Sequence, residues 1–220
     1  TVSGDISVAG FCDVAYTNFA DLIDSYGIPW TVVWGNHDNE SGATIVQNVV
    51  DEYKTYDNFI YNEGPEELGN GNFVIEIQQN GEPVHALVMM DTHNKLDYNG
   101  TESWGALTED QLAWYEKQIK ALQKRGCNES SIIAHIPIKA FEEAYNAAYD
   151  SSTGTWRDGY EAFGVNHENV CCHPTDFGAF ELIKSLGSTK LYLCGHDHYN
   201  CSSILYFYEN TETRRHRALL

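Results

Sequence analysis

Apolar positions in this chain fall into short runs separated by stretches with helical spacing, and that alternation predicts an α/β architecture. Val14, Phe19, Leu22 and Ile23 recur at helical spacing within Cys12–Tyr26, and Gly27 and Pro29 close the segment. Every residue of Trp30–Trp34 is apolar or β-branched, the pattern of a buried strand. A helix is predicted over Ala43–Tyr56. Phe73–Gln78 and Val84–Met90 read as strands around Asn80-Gly81, a dipeptide suited to a tight hairpin turn. Thr108, with Gln111 three residues on, has the form of a capping box and opens a helix that ends before Gly126. Beyond it come a strand at Ser131–Ala134, helices at Phe141–Tyr149 and Asp176–Leu186, and strands at Leu191–Cys194 and Ile204–Tyr208. Asp150–Thr175 is a long insertion bearing Gly, Ser and Asn.

Composition narrows the function classes. The 220 residues carry 13 Lys+Arg against 32 Asp+Glu, a net charge of −19. Hydrophobic residues at 42% and aromatics at 13% are too many for a disordered acidic chain, so one domain over 1–220 is expected. A surface this negative repels phosphate backbones and anionic lipid, so neither nucleic acid through a basic face nor a membrane is an expected partner. It attracts cations. No apolar run reaches the roughly 18 residues of a spanning helix, and no signal-peptide pattern follows Thr1. The expected location is cytoplasmic, with a leader upstream of Thr1 left open. Six Cys are too few to staple a chain of this size. Arg214, Arg215 and Arg217 crowd three of the five Arg into a tail that reads as solvated or disordered from about residue 210.

The chemistry lies at strand ends. Trp30–Trp34 runs into Gly35-Asn36-His37-Asp38, Ser131–Ala134 into His135-Ile136-Pro137, and Leu191–Cys194 into Gly195-His196-Asp197-His198. Gly4-Asp5 follows what could be the stub of a fourth strand. Carboxyl ends of strands in α/β sheets converge on one edge, where ligands bind, so these residues would meet in one cleft. Glycine before Asp5, Asn36 and His196 keeps bulk away from it. A set of His nitrogens and Asp and Asn oxygens without thiolate suits Mn, Fe, Zn, Co or Ni.

This ordered set, Gly-Asp, Gly-Asn-His-Asp, His with Ile-Pro, and Gly-His-Asp-His, resembles the calcineurin-like metallophosphoesterase superfamily over Gly4–His198, nearly the whole chain. Met90-Asp91-Thr92 and the helix with Gln111 and Trp114 resemble its branch of yeast Dcr-type and purple-acid-phosphatase-like enzymes. The resemblance implies a four-layer αββα sandwich. It also implies a phosphomonoesterase or phosphodiesterase that uses a metal-bridging hydroxide and two divalent or trivalent transition ions. Asp5 would bridge the ions, Asn36, His135 and His196 would complete one site, and His198 would bind the other. His37 would act as acid or phosphate contact, oriented by Asp38. The purple enzymes carry Tyr three residues after the bridging Asp; Val8 stands there in this chain, so a tyrosinate-bound ferric ion is not implied. The superfamily opens with Asp-x-His, and only Thr1, Val2 and Ser3 precede Gly4. The expectation is therefore an N-terminally truncated domain that holds at most one tight ion and turns over poorly.

Substrates of this reading are small phosphorylated molecules or phosphoproteins, with Asp150–Thr175 expected over the metal edge. The competing reading is a binding module of the same fold without catalysis. Asp91-Thr92-His93 has the letters of the missing pair but the wrong place in the order, and His167, Cys171, Cys172 and His173 match no common zinc spacing, which favours loop packing.

Overall fold

The Asn80-Gly81 turn forms as expected, with φ of 55° and 84°. The computed structural model describes residues 1–7, 13–40, 43–206 and 216–219; Val8, Cys12, Arg214, Arg215 and the 207–208 end of the last predicted strand lie outside them. In chain order the elements are α1 (Asp13–Asp24), α2 (Ala43–Tyr53), β1 (Phe73–Gln79), β2 (Glu82–Met89), β3 (Lys95–Tyr98), β4 (Thr101–Trp104), α3 (Glu109–Lys124) and β5 (Ser130–Ile133). Then follow α4 (Lys139–Ala148), β6 (Tyr149–Asp150), β7 (Thr155–Trp156), β8 (Ala162–Asn166), α5 (Ala179–Leu186), β9 (Thr189–Leu193), β10 (Asn200–Tyr206) and β11 (His216–Leu219).

Seven strands make one sheet in the order β1-β2-β5-β9-β11-β10-β8. Its centre, β2 through β11, is parallel. One face packs Val88, Ile132 and Tyr192 against Leu112, Tyr115 and Ile119 of α3, Phe141 of α4 and Ile183 of α5. The other packs Phe73, Met89 and Ile133 against Val33. Beyond Val33, the opposite side of the Trp30–Trp34 segment packs Trp30, Val32 and Trp34 against Tyr16 and Ala20 of α1 and Val46, Val49 and Tyr53 of α2. Helices, bridged segments, sheet and helices thus form four layers of an α/β sandwich. Trp30–Trp34 is as buried as a central strand, but its ladder is reduced to two parallel bridges, Val2 to Val32 and Trp30 to Phe59.

The α3 capping box is present: Thr108 Oγ1 accepts from Gln111 N at 3.4 Å and Gln111 Oε1 accepts from Thr108 N at 2.9 Å. Other expectations need correction. In α1 the inward face is Tyr16 and Ala20, four residues apart, with Phe19 and Ile23 beside them; Val14 and Leu22 are exposed because they lie out of phase with that stripe. The insertion contains β6, β7 and the sheet-edge strand β8, which pairs with β10. Within the tail expected to be solvated or disordered from about 210, His216–Leu219 form β11, seated between β9 and β10 by backbone pairing on both sides; 207–215 lie outside the described residues. A second hairpin, β3–β4, turns at Asn99-Gly100 with positive φ at both residues.

Candidate metal centre

Local backbone pairing brings the expected strand ends together. Val2 N donates to Thr31 O and Val33 N to Val2 O, each at 3.0 Å, so Gly4-Asp5 and Gly35-Asn36-His37 leave their parallel segments at one edge. β5 and β9 are parallel neighbours that release His135 and Gly195-His196 at their carboxyl ends, where Gly195 N donates to His135 O at 3.0 Å. The approach demands glycine twice. A Cβ on Gly4 (φ 91°) would stand 2.5 Å from Gly35 N and 2.6 Å from His135 Nδ1; one on Gly35 would stand 2.1 Å from Asp5 Oδ1.

Asp38 does not orient His37. Its buried carboxylate turns inward, where Oδ2 accepts from Asp5 N (2.8 Å) and Gly35 N (2.9 Å). Oδ1 accepts from Ile6 N (3.1 Å), Ser7 N (3.3 Å) and the Tyr16 hydroxyl (2.8 Å). Those N–H groups have no sheet partner, so a buried carboxylate takes the place of a ladder. Burial lifts the Asp38 carboxyl above its ordinary range, against the pull of these donors. The partner of His37 is Glu40, whose Oε1 lies 2.7 Å from Nδ1.

Asp5, Asn36, His135 and His196 converge. Buried His135 has Nδ1 at the Ser3 carbonyl, an acceptor, which places its proton there and leaves Nε2 a lone pair. That Nε2 faces two oxygens, Asn36 Oδ1 at 3.1 Å and Asp5 Oδ2 at 3.2 Å. His196 Nδ1 lies 2.7 Å from the same Asn36 oxygen. Asp5 Oδ2 and His196 Nε2 are buried without a hydrogen-bond partner. Burial brings the His196 pKa down to about 4, so the ring is neutral near pH 7. Burial opposes ionisation of Asp5, but the His135 contact and the His37 N–H outweigh it, and its pKa is lowered. An electron-rich set that includes the unpartnered Asp5 Oδ2 fits a cation. Ligand atoms around a tetrahedral ion with bonds of 2.0–2.1 Å stand about 3.3 Å apart; His135 Nε2 stands near that distance from Asn36 Oδ1 and Asp5 Oδ2, and one ligand atom each of Asp5, His135 and His196 lie within 4.8 Å of one another. Asp5 (φ 54°) and His196 (φ 78°) both hold backbone conformations that side chains disfavour.

His198 Nε2 reaches within 3.6 Å of Asp5 Oδ2. Beyond the pair expected there, the structure adds His37: one ligand atom each from Asp5, His37 and His198 lie within 4.8 Å of one another. A cleft of about 190 Å³ opens beside these rings, walled also by Trp104, Glu168, Asp197 and Tyr199. Trp104 meets His196 edge-on, ring centroids 4.6 Å apart, and Lys95 Nζ lies 3.5 Å over the Trp104 ring. The Asn99-Gly100 turn signal could have revealed the hairpin that carries Trp104. Glu168 and Cys171 are the insertion residues that wall the cleft, whereas Tyr149 and Trp156 pack with Tyr145 of α4.

The remaining candidates take other places. Asp91 is buried, accepting from Asn70 N (2.7 Å) and His93 N (2.8 Å), while His93 Nε2 pairs with Gln111. Thr92 Oγ1 accepts from Ile136 N at 3.0 Å and so braces the turn after His135. Burial pushes the Cys171 and Cys172 thiols up to about 11 and about 12, which keeps them protonated, and His173 is buried against Thr175.

Similarity to known proteins agrees with this geometry. Probable inactive purple acid phosphatase 14 of Arabidopsis thaliana is 30% identical over 231 residues, covering 90% of this chain and 53% of that protein. Phosphatase DCR2 of Saccharomyces cerevisiae is 26% identical, covering 90% of this chain and 34% of its own. A solved dimetal phosphatase from Danio rerio shares the fold with a TM-score of 0.50 at 11% identity, over 99% of this chain and 85% of that one. These similarities support the calcineurin-like metallophosphoesterase superfamily for this chain. No family model matches it. The chain spans about half the length, or less, of the curated relatives it matches. No helix among its described residues is long and apolar enough to cross a membrane.

Proposed function

We propose that this chain hydrolyses phosphate esters with a transition-metal cation held by Asp5, Asn36, His135 and His196. The observation that carries the reading is the approach of His135 Nε2 to Asn36 Oδ1 and to the unpartnered Asp5 Oδ2, with a ring nitrogen of His196 within 4.8 Å of both His135 and Asp5. When bound, such a cation supplies Lewis acidity, polarising a phosphoryl oxygen and making water a stronger acid near neutral pH. The chain's own residues do the rest. Ser3 O holds the proton on His135 Nδ1 and keeps Nε2 available. Asp38 fixes the Gly4–Ser7 turn, which aims Asp5. Trp104 buttresses His196 and forms one wall of the entrance. Glu168 and Asp197 make that entrance acidic, which disfavours polyanions and suits small esters or phosphopeptides with a single phosphate.

A second reading, phosphate-ester binding without turnover, is favoured by the name of the Arabidopsis relative, probable inactive. One experiment separates them. The metal-stripped chain is assayed with p-nitrophenyl phosphate before and after Mn²⁺ is restored, alongside His135→Ala. Turnover that returns with Mn²⁺ and is lost in the variant supports the hydrolase. Phosphate binding with no turnover at any metal loading supports the binding module.

A further inference from the structure

The end of the insertion is clamped to the turn that carries His196 and His198. Asn200 Oδ1 accepts from His167 N (3.0 Å) and Glu168 N (3.2 Å), and Asn200 Nδ2 donates to Glu168 O (3.2 Å) and Asp197 Oδ2 (3.1 Å). Asp197 Oδ1 accepts from Cys171 N at 3.0 Å. Asn166 Nδ2 also donates to the Glu168 carbonyl, at 2.8 Å, so side chains hold both backbone polar groups of Glu168. The clamp presents the Glu168 carboxylate to the cleft beside His37 and His198. Its Oε1 accepts from Tyr199 N at 2.6 Å. Both Asp197 oxygens are taken up by the clamp, which leaves Glu168 Oε2 as the carboxylate oxygen open to a ligand. Neither carboxylate has an ion-pair partner among the described residues.

An uncompensated carboxylate at the lip repels a phosphate dianion, unless the substrate brings a cation of its own to stand between them. We propose that Glu168 is a specificity-determining residue that selects phosphate monoesters whose alcohol bears a protonated amine, with Asn200 as its positioning residue. The inference rests on the phosphate-ester reading above and names a substrate class for it. Cleft size sets the length of the alcohol. At about 190 Å³ the cleft is smaller than the roughly 300–1,000 Å³ of sites that hold drug-sized ligands, so a short aminoalkyl chain fits and a long one does not. Trp104 and Tyr199 line the same cleft and offer apolar surface to the carbons between phosphate and amine.

The test is a charge series on the full chain loaded with Mn²⁺: phosphoethanolamine, propyl phosphate and phosphoglycolate, of similar size, whose alcohols end in a cation, a methyl group and a carboxylate. Affinity is read by calorimetry and kcat/KM by phosphate release. Phosphoethanolamine should bind about 10-fold more tightly than propyl phosphate, the effect of one charge-assisted hydrogen bond, with phosphoglycolate weakest. Glu168→Gln and Asn200→Ala should each bring the ratio of the first two near unity, whereas a purely structural role for Asn200 would weaken all three alike. In the unaltered chain, carboxylate ¹³C NMR should show Glu168 Cδ shifting with phosphoethanolamine and not with propyl phosphate, which keeps the test valid should a variant misfold. Equal affinities across the series, or a cationic preference retained in Glu168→Gln, overturns the proposal. So does a dependence on Glu168 that is found only with a Lys-bearing phosphoserine peptide. Binding and turnover fail independently: charge-selective binding without phosphate release sinks the hydrolase reading alone, release at equal rates from all three esters sinks the Glu168 assignment alone, and binding of none overturns both.

Discussion

Replacing Asp38 tests whether the centre is held from beneath. Its carboxylate receives four backbone N–H groups and one hydroxyl, all at 2.8–3.3 Å. A hydrogen bond to a charged group contributes about 1.5–3 kcal/mol, but these five share one acceptor and the turn can relax. Asp38→Ala should therefore cost about 3–5 kcal/mol, the range for disrupting a buried charged cluster. Asp38→Asn is the sharper variant. Its amide has one oxygen, so the NH₂ must face either Asp5 N and Gly35 N or Ile6 N and Ser7 N, and two donors lose their partner whichever way it turns. At about 1–2 kcal/mol each, the loss is about 2–4 kcal/mol, or about 4–16 °C in melting temperature for a chain of this length. Metal affinity should fall as well, because Asp5 hangs from the same turn. The assays are thermal unfolding without metal and Zn²⁺ titration, with Tyr16→Phe as a milder companion that removes one bond. An Asp38→Asn chain that melts like the parent, or that binds Zn²⁺ as tightly as the parent, would refute the bracing role.

Other expectations follow from the same coordinates. Gly4→Ala should abolish tight metal binding and cost about 2–4 kcal/mol, combining positive-φ strain with overpacking against Gly35 and His135; denaturant unfolding and metal titration check both. Thr108→Ala should cost about 1 kcal/mol through loss of the capping box and leave metal binding unchanged. The metal-free chain should lose stability as pH falls from about 6.5 toward about 4, because His196 takes up its proton more readily unfolded than folded. Stability from this group is fully present above that window, and replacing His196 with Asn should flatten this part of the profile in urea unfolding at stepped pH.

Local features of the fold were legible in the sequence. The Thr108 capping box and the Asn80-Gly81 hairpin depend on residues within one turn of each other, so their chemistry is complete in a short window. The order of strand ends was also readable, because glycine and ligand residues cluster after each apolar run. Illegible were features set by distant partners. Whether Val14 or Tyr16 faces inward depends on where Asp38 and α2 lie, not on apolarity alone. The partner of His37 was misjudged because Asp38 is adjacent in sequence, while the N–H groups that claim its carboxylate lie some thirty residues upstream. β11 was hidden because strand pairing on both sides does not require apolar composition.

The positive φ angles of Asp5 and His196 carry a consequence for directed evolution. Glycine at either position would adopt the same backbone without strain, a relief of about 1–2 kcal/mol per site, while removing a proposed ligand. A library sorted only for heat resistance would therefore enrich precisely those changes that empty the centre. Any thermostabilisation campaign on this scaffold needs a metal-retention sort in every round, because two of the six non-glycine residues with positive φ among the described residues are proposed metal ligands.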